Sequence, residues 1–236
     1  MSRSPQTSSS TATLIETGRR VCRLCDQEGS IAQKYKVSIL DAEQALRSSA
    51  GALQVKTFER VTCYDTLVLA ESQLDDAVRA TFYSCRKYDW NSGEIPILEK
   101  IFPDAVFSPV VQAPRNRKHD LIIRMIARLD SIGLNGNPLA NEKEELEKAL
   151  SKAVSAEELY EQSMHEESKA RALEKLGKQE YVERYNAVYY QACSDLGRYV
   201  ANRLFPTVRP SRKTAGSKPE VTGPAKAVET AAALAA

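Results

Sequence analysis

The chain has 236 residues, is 42% hydrophobic and 27% charged, and carries a formal net charge of +2. Those values are those of an ordinary globular chain of one large or two small domains. The near-balance of charge excludes the bulk electrostatic signature of a nucleic-acid or membrane-surface binder. The most apolar run, Leu121 to Leu129, is short and is interrupted by Arg124 and Arg128. A spanning helix needs about 20 apolar residues, so no membrane segment is expected. Only Leu14 and Ile15 follow the opening Ser/Thr run, which does not make the apolar region of a secretory signal. Five cysteines, an odd number in a long chain, fit reduced cytoplasmic thiols better than a disulfide framework.

None of the ten prolines falls between residues 6 and 95 or between 139 and 205. Proline blocks helix interiors, so these tracts predict long helices. Both are rich in Ala, Leu, Glu, Lys, Arg and Gln, which favour helix. The expected fold is all-α: an elongated, mostly antiparallel multi-helix bundle with long helical hairpins and disordered termini. Residues 1–10 hold nothing that can bury and read as a disordered arm.

From Leu14 the apolar and small residues step by three and four: Leu14, Gly18, Val21, Cys25, then Ala32, Tyr35, Ile39, Ala42, Leu46 and Leu53. That is a heptad-like, coiled-coil type of seam. It stays in phase across Gly29, which predicts a kink there, although Ser30 to Gln33 has the pattern of a capping box that would restart a helix. Ser48-Ser49-Ala50-Gly51 is the best candidate for the reversal of an N-terminal hairpin spanning 11–93. The second long helix runs to about Tyr88, with a stripe of Leu67, Ala70, Leu74, Ala77, Thr81, Cys85 and Tyr88. Phe58, Val61 and Val68 lie off that stripe on an adjoining face. Residues 94–115 hold four prolines and many apolar residues. They predict a short helix and an extended segment packed across the bundle.

Three helices are expected over 116–206. The first runs from Asn116 to Ile132 and is followed by a turn at Gly133–Pro138. The next is capped by Asn141 and ends at Gly177. The last carries Tyr181, Tyr185, Val188, Ala192, Leu196, Tyr199 and Leu204 and stops at Pro206. Lys100-Ile101-Phe102-Pro103 and Arg203-Leu204-Phe205-Pro206 share a pattern 103 residues apart. Four residues match by chance easily, and two helices that stop alike are the favoured reading over duplication of a helical hairpin. Residues 207–236 hold five basic and two acidic residues and four of the ten prolines lie between 206 and 224, so a disordered basic, Ala- and Pro-rich tail is expected. Its Leu-Ala-Ala end resembles the terminus of the bacterial degradation tag added to stalled products, which would concern turnover.

The candidate chemistry is sparse. Cys22 and Cys25 share a helix face and could offer two thiolates to a metal, but a tetrahedral site needs four ligands and no second CxxC exists. Cys25 also sits in the apolar seam, where a small buried residue is the ordinary reading. A di-iron bundle needs Glu-x-x-His pairs, and Asn116 and Gln162 stand three residues before His119 and His165. No GxxxxGK[ST] or GxGxxG loop occurs. Asp65, Asp75 and Asp76 near the second stripe read as solvated. No cofactor is expected. Tyr181, Tyr185 and Tyr189 step by four and form one stripe suited to packing or to a partner. Phe58, Val61 and Val68 are the second candidate contact surface. The sequence therefore predicts a non-enzymatic scaffold, adaptor or assembly protein working through helix faces, with protein partners and self-association. A metal- or redox-active bundle using the CxxC or a carboxylate-rich interior, and a nucleic-acid accessory factor tethered by the basic tail, are the alternatives.

Overall fold

The computed structural model describes residues 5–92, 96–132 and 139–205. Among these the chain is helical, without a strand. The helices are α1 (Thr11–Glu28), α2 (Gln33–Ser92), α3 (Ile97–Ile101), α4 (Ser108–Val111), α5 (Arg115–Ser131), α6 (Ala140–Leu196) and α7 (Arg198–Leu204). The axis of the molecule is the antiparallel pair α2 and α6, of 60 and 57 residues. At 1.5 Å per residue each is about 85–90 Å long.

The first reversal comes at Gly29, and not at Ser48–Gly51. Gly29 takes φ +89°, a left-handed-side conformation that a Cβ disfavours. A single 3-10 turn, Ser30–Ala32, then leads into α2. Lys36 Nζ meets Asp26 Oδ1 at 2.6 Å across the reversal. Ser48 to Gly51 lies inside α2, because the seam through Leu46, Ser49 and Leu53 continues to face α6. A Cβ on Gly51 would meet nothing within 4 Å. Gly177 likewise does not end a helix: α6 runs through it. There the missing Cβ serves close approach, since it would lie 2.8 Å from Ser49 Oγ on α2. The break falls at Gly197, with φ +81°. Ser10 caps α1, its Oγ accepting the Thr13 backbone N–H at 3.1 Å, and Pro5 is buried. Residues 1–4, the Gly133–Pro138 turn, Pro206, the 207–236 tail and its Leu-Ala-Ala end lie outside the described residues.

Two separate cores form along the rod. In the first head α1 and α7 pack on the N-terminal third of α2 and the C-terminal third of α6, around Leu14, Val21, Cys25, Tyr35, Ile39, Leu46, Tyr181, Tyr185, Val188 and Phe205. In the second head α3, α4 and α5 pack on the other ends of the same two helices, around Leu67, Leu74, Val78, Phe82, Cys85, Phe102, Ile122, Met125, Leu129 and Leu146. Between the heads is a waist of α2 and α6 alone. Along α2 no residue between Leu46 and Leu67 is buried.

The heads resemble each other in their parts. The helices α1, α2 and α3, of 18, 60 and 5 residues, match in order α5, α6 and α7, of 17, 57 and 7 residues, while the four-residue α4 that stands between the two sets has no counterpart among the described residues. Lys143 on α6 meets Asp130 on α5 as Lys36 on α2 meets Asp26 on α1. Phe102 and Phe205 leave their helices with similar backbone angles, φ −115°, ψ 90° and φ −110°, ψ 80°. Phe102 stacks edge-on against Phe82, and Phe205 edge-on against Tyr189. Phe82 in turn abuts Tyr83 as Tyr189 abuts Tyr190. The 100–102 and 203–205 parts of the short echo thus lie at the ends of helices that pack alike in the two heads.

Candidate interaction surface

Three of the five cysteines lie in the two head cores. Cys25 is fully buried and Cys22 nearly so, in contact with the core of the first head. Burial pushes the Cys25 thiol up to about 11 and the Cys22 thiol upward as well, which opposes the thiolate a metal or a redox partner needs. Cys85 is driven to about 12 by the same cause in the second head. Among the described residues, no group of three or more His, Cys, Asp or Glu side chains is placed to hold a metal ion.

Tyr181 and Tyr185, expected as a partner stripe, belong to the core instead: they are 1% and 3% exposed. The stripe faces α1 and α7, so its four-residue step records packing. Burial raises both phenols and keeps them neutral. Tyr189 is half-buried against Phe205, with its hydroxyl donating to Asn202 Oδ1 at 2.8 Å. Asp75 is not merely solvated, because Lys118 Nζ reaches its Oδ1 at 2.8 Å. His119 is also tucked in, its Nδ1 3.6 Å from Glu157 Oε2.

One polar cluster within the first head escaped the sequence. Glu43 is 4% exposed, and its Oε1 accepts from Arg47 Nε at 2.8 Å, with Arg19 3.6 Å away. Its Oε2 and the Tyr181 hydroxyl have no hydrogen-bond partner among the described residues. Both face Gly18, where a Cβ would lie 2.7 Å from the Tyr181 hydroxyl and 3.2 Å from Glu43 Oε2. Gly18, read in the sequence as a small seam residue, is the space these two groups occupy.

The waist is built differently. Glu167 takes a position in the α6 seam where the heads place apolar residues, and it is 7% exposed. Burial works against its charge. The Thr57 hydroxyl at 3.1 Å, Arg171 at 3.0 Å and Arg60, whose Nε lies 2.6 Å from Oε2, outweigh that and hold its pKa below the usual carboxylate range. Tyr64 and Tyr160 meet across the same interface with ring centroids 5.5 Å apart. This seam uses ion pairing where the heads use apolar burial, so the waist keeps its apolar residues outside.

On α6 these include Leu159, Met164, Leu173 and Leu176, and on α2 they form a larger group. Val55, Phe58, Val61, Val68 and Leu69 are 56%, 72%, 43%, 46% and 60% exposed. Their spacing sets them on the side of α2 turned away from α6. Side chains of this size, each about half exposed, leave on the order of 400 Å² of apolar surface on one helix face, within the range that marks functional patches. The two heads pack alike, and the matching positions of α6 hold Gln162, His165, Ser168, Lys175 and Leu176, four of them polar, with the exposed Leu159 and Leu173 nearby. An open groove of about 390 Å³ runs between α5 and α6 along Ile123, Ile126, Leu150 and Val154, with Glu147, Ser151, Ser155 and Glu158 also lining it and no histidine among its lining residues.

Comparison of the chain with protein-family models, with curated proteins and with solved structures gives no match. No helix among the described residues is long and apolar enough to cross a membrane.

Proposed function

We propose that the chain is a non-enzymatic helical scaffold or assembly protein that works through helix-face contacts with protein partners. The observation that carries this reading is the apolar outward face of α2 at the waist, whose matching positions on α6 are mostly polar. A rod about 90 Å long with a stable head at each end holds such a face straight and leaves it open. The high thiol pKa values and the packed heads favour structure over chemistry in the residues that could have been catalytic. Unpaired cysteines fit a reducing, cytoplasmic setting.

The test is a photoreactive amino acid placed at position 58, or at its counterpart 165 on α6, in the full chain expressed in its native host. Irradiation of living cells is expected to yield a discrete protein adduct from position 58 and none from position 165. Equal adducts from both, or none from 58, would refute the reading.

A further inference from the structure

We infer that the chain's own C-terminal segment, through Arg209, Arg212 and Lys213, is seated on an acidic crevice between α2 and α6 in the first head. The inference is independent of the α2 waist face. The crevice is open, has a volume of about 520 Å³, and lies on the side of the helix pair turned away from α1. On the other side α1 is already packed, where Gly18 meets Tyr181 and Glu43. The crevice floor is made of small residues, Ala42, Ala45, Gly177 and Ala187, so a chain laid along it can come close to both helices. The rim carries three carboxylates, Asp41, Glu180 and Glu183, against one cation, Arg184. All four are exposed. Asp41 and Glu180 have no ion-pair partner among the described residues, and Glu183 accepts a hydrogen bond from Gln179 Nε2 at 3.3 Å.

Charge and reach both select this segment as the occupant. Residues 206–236 follow Phe205, and Arg209, Arg212, Lys213 and Lys218 all precede their first acidic residue, Glu220. The cations nearest the first head therefore carry no competing carboxylates among them. The point of departure is fixed, because Phe205 is buried edge-on against Tyr185 and Tyr189. At about 100° per residue, Glu180 and Ala187 lie roughly half a turn around α6 from those two tyrosines. That arc, taken around the side chains, is about 20–30 Å, which roughly six to nine extended residues span. Counted from Phe205, this length delivers Arg212 and Lys213 to the rim beside Asp41 and Glu180. Arg209 then crosses the outer side of α6 at Glu183. A short tether raises the effective concentration of the segment at the crevice, so exposed ion pairs that are weak singly suffice together. Their exposure also makes the contact sensitive to salt.

Zero-length carbodiimide coupling, which joins a lysine amine to a carboxylate in contact with it, tests this on the dilute full chain. The expected product is a link from Lys213 to Asp41, Glu180 or Glu183 within one chain, mapped by mass spectrometry of the monomer band. Its yield should fall at least about fivefold between low salt and about 0.5 M sodium chloride. Arg212→Glu leaves Lys213 and all three carboxylates in place, and should lower the yield at least about threefold. Arg209→Glu is a second reversal and should act in the same direction. Both substitutions fall outside the two head cores, and circular dichroism checks that helicity is kept. The inference is overturned if Lys213 forms no link to those three carboxylates, or links evenly to exposed carboxylates of both heads. A link formed only between two copies overturns it too, as does a yield indifferent to salt and to both reversals.

Discussion

Gly18→Ala offers a sharp test of how the first head is packed. In an exposed helix interior this substitution stabilises by about 1 kcal/mol, because glycine is the poorer helix former. At position 18 the new methyl would sit 2.7 Å from the Tyr181 hydroxyl and 3.2 Å from Glu43 Oε2. Neither atom retreats easily: the Tyr181 ring is 1% exposed and lies against Tyr185, and Glu43 is tied to Arg47. Overpacking of this kind costs about 1–3 kcal/mol, so the helix gain is cancelled or exceeded. The expected net loss is on the order of 1–2 kcal/mol, or roughly 2–8 °C in Tm for a chain of this size. Tyr181→Phe removes the closest atom, and with it a buried hydroxyl that has no partner among the described residues. It should be neutral or stabilising alone, and it should rescue Gly18→Ala in the double variant. Thermal melts of the four proteins form a double-mutant cycle with an expected coupling of about 1 kcal/mol or more. An additive cycle, or a Gly18→Ala protein as stabilised as an ordinary helix glycine replaced by alanine, would refute the packing argument.

Phe102→Ala and Phe205→Ala, at equivalent places in the two heads and both at most 2% exposed, should each lower stability by about 3–5 kcal/mol in denaturant melts; a small effect at either would break the equivalence. Titration with a thiol reagent at pH 8 should label the half-buried Cys63 and Cys193 first, while Cys25 and Cys85 react only on unfolding, because burial holds them as neutral thiols. Asp195 is hydrogen-bonded by Lys34 and by the Tyr35 hydroxyl at 2.8 Å, which lowers its pKa in the folded chain. Its stabilisation is therefore complete above the unfolded carboxylate pKa of about 4 and is lost as pH falls through the folded value. Asp195→Asn should accordingly lower Tm at pH 7 and have little effect near pH 2; an equal loss at both would rule out the charge as the cause.

Helix positions and faces were legible in the sequence because the seam residues from Leu14 to Leu53 and from Leu67 to Tyr88 keep three-and-four spacing without a proline. The meaning of each glycine was not legible. Gly29, Gly51 and Gly177 all interrupt a helix former's pattern, yet one turns the chain, one faces open space and one admits a neighbouring helix. That difference depends on what lies opposite, which local sequence does not record. The same holds for the tyrosines: Tyr181 and Tyr185 carry the signature of an amphipathic stripe, and only the position of α1 turns it inward. The likeness of the two heads left only a four-residue pattern in sequence. The paired contacts Asp26–Lys36 and Asp130–Lys143 become recognisable as equivalents once both helix pairs are located. Phe58, Val61 and Val68 were separable from the core stripe by phase alone, and their exposure follows from it.

The claim on which the rest depends is that the α2 waist face lies outside the chain's own core. Far-ultraviolet circular dichroism and a thermal melt of Phe58→Glu/Val61→Glu/Val68→Glu, at a concentration where the chain is monomeric, test it most directly. Three exposed charges on one helix face should leave helicity unchanged and shift Tm by no more than a few degrees. A marked loss of helicity, or a cooperative drop in Tm of the size that core substitutions produce, would place these residues in the monomer's interior and contradict the account.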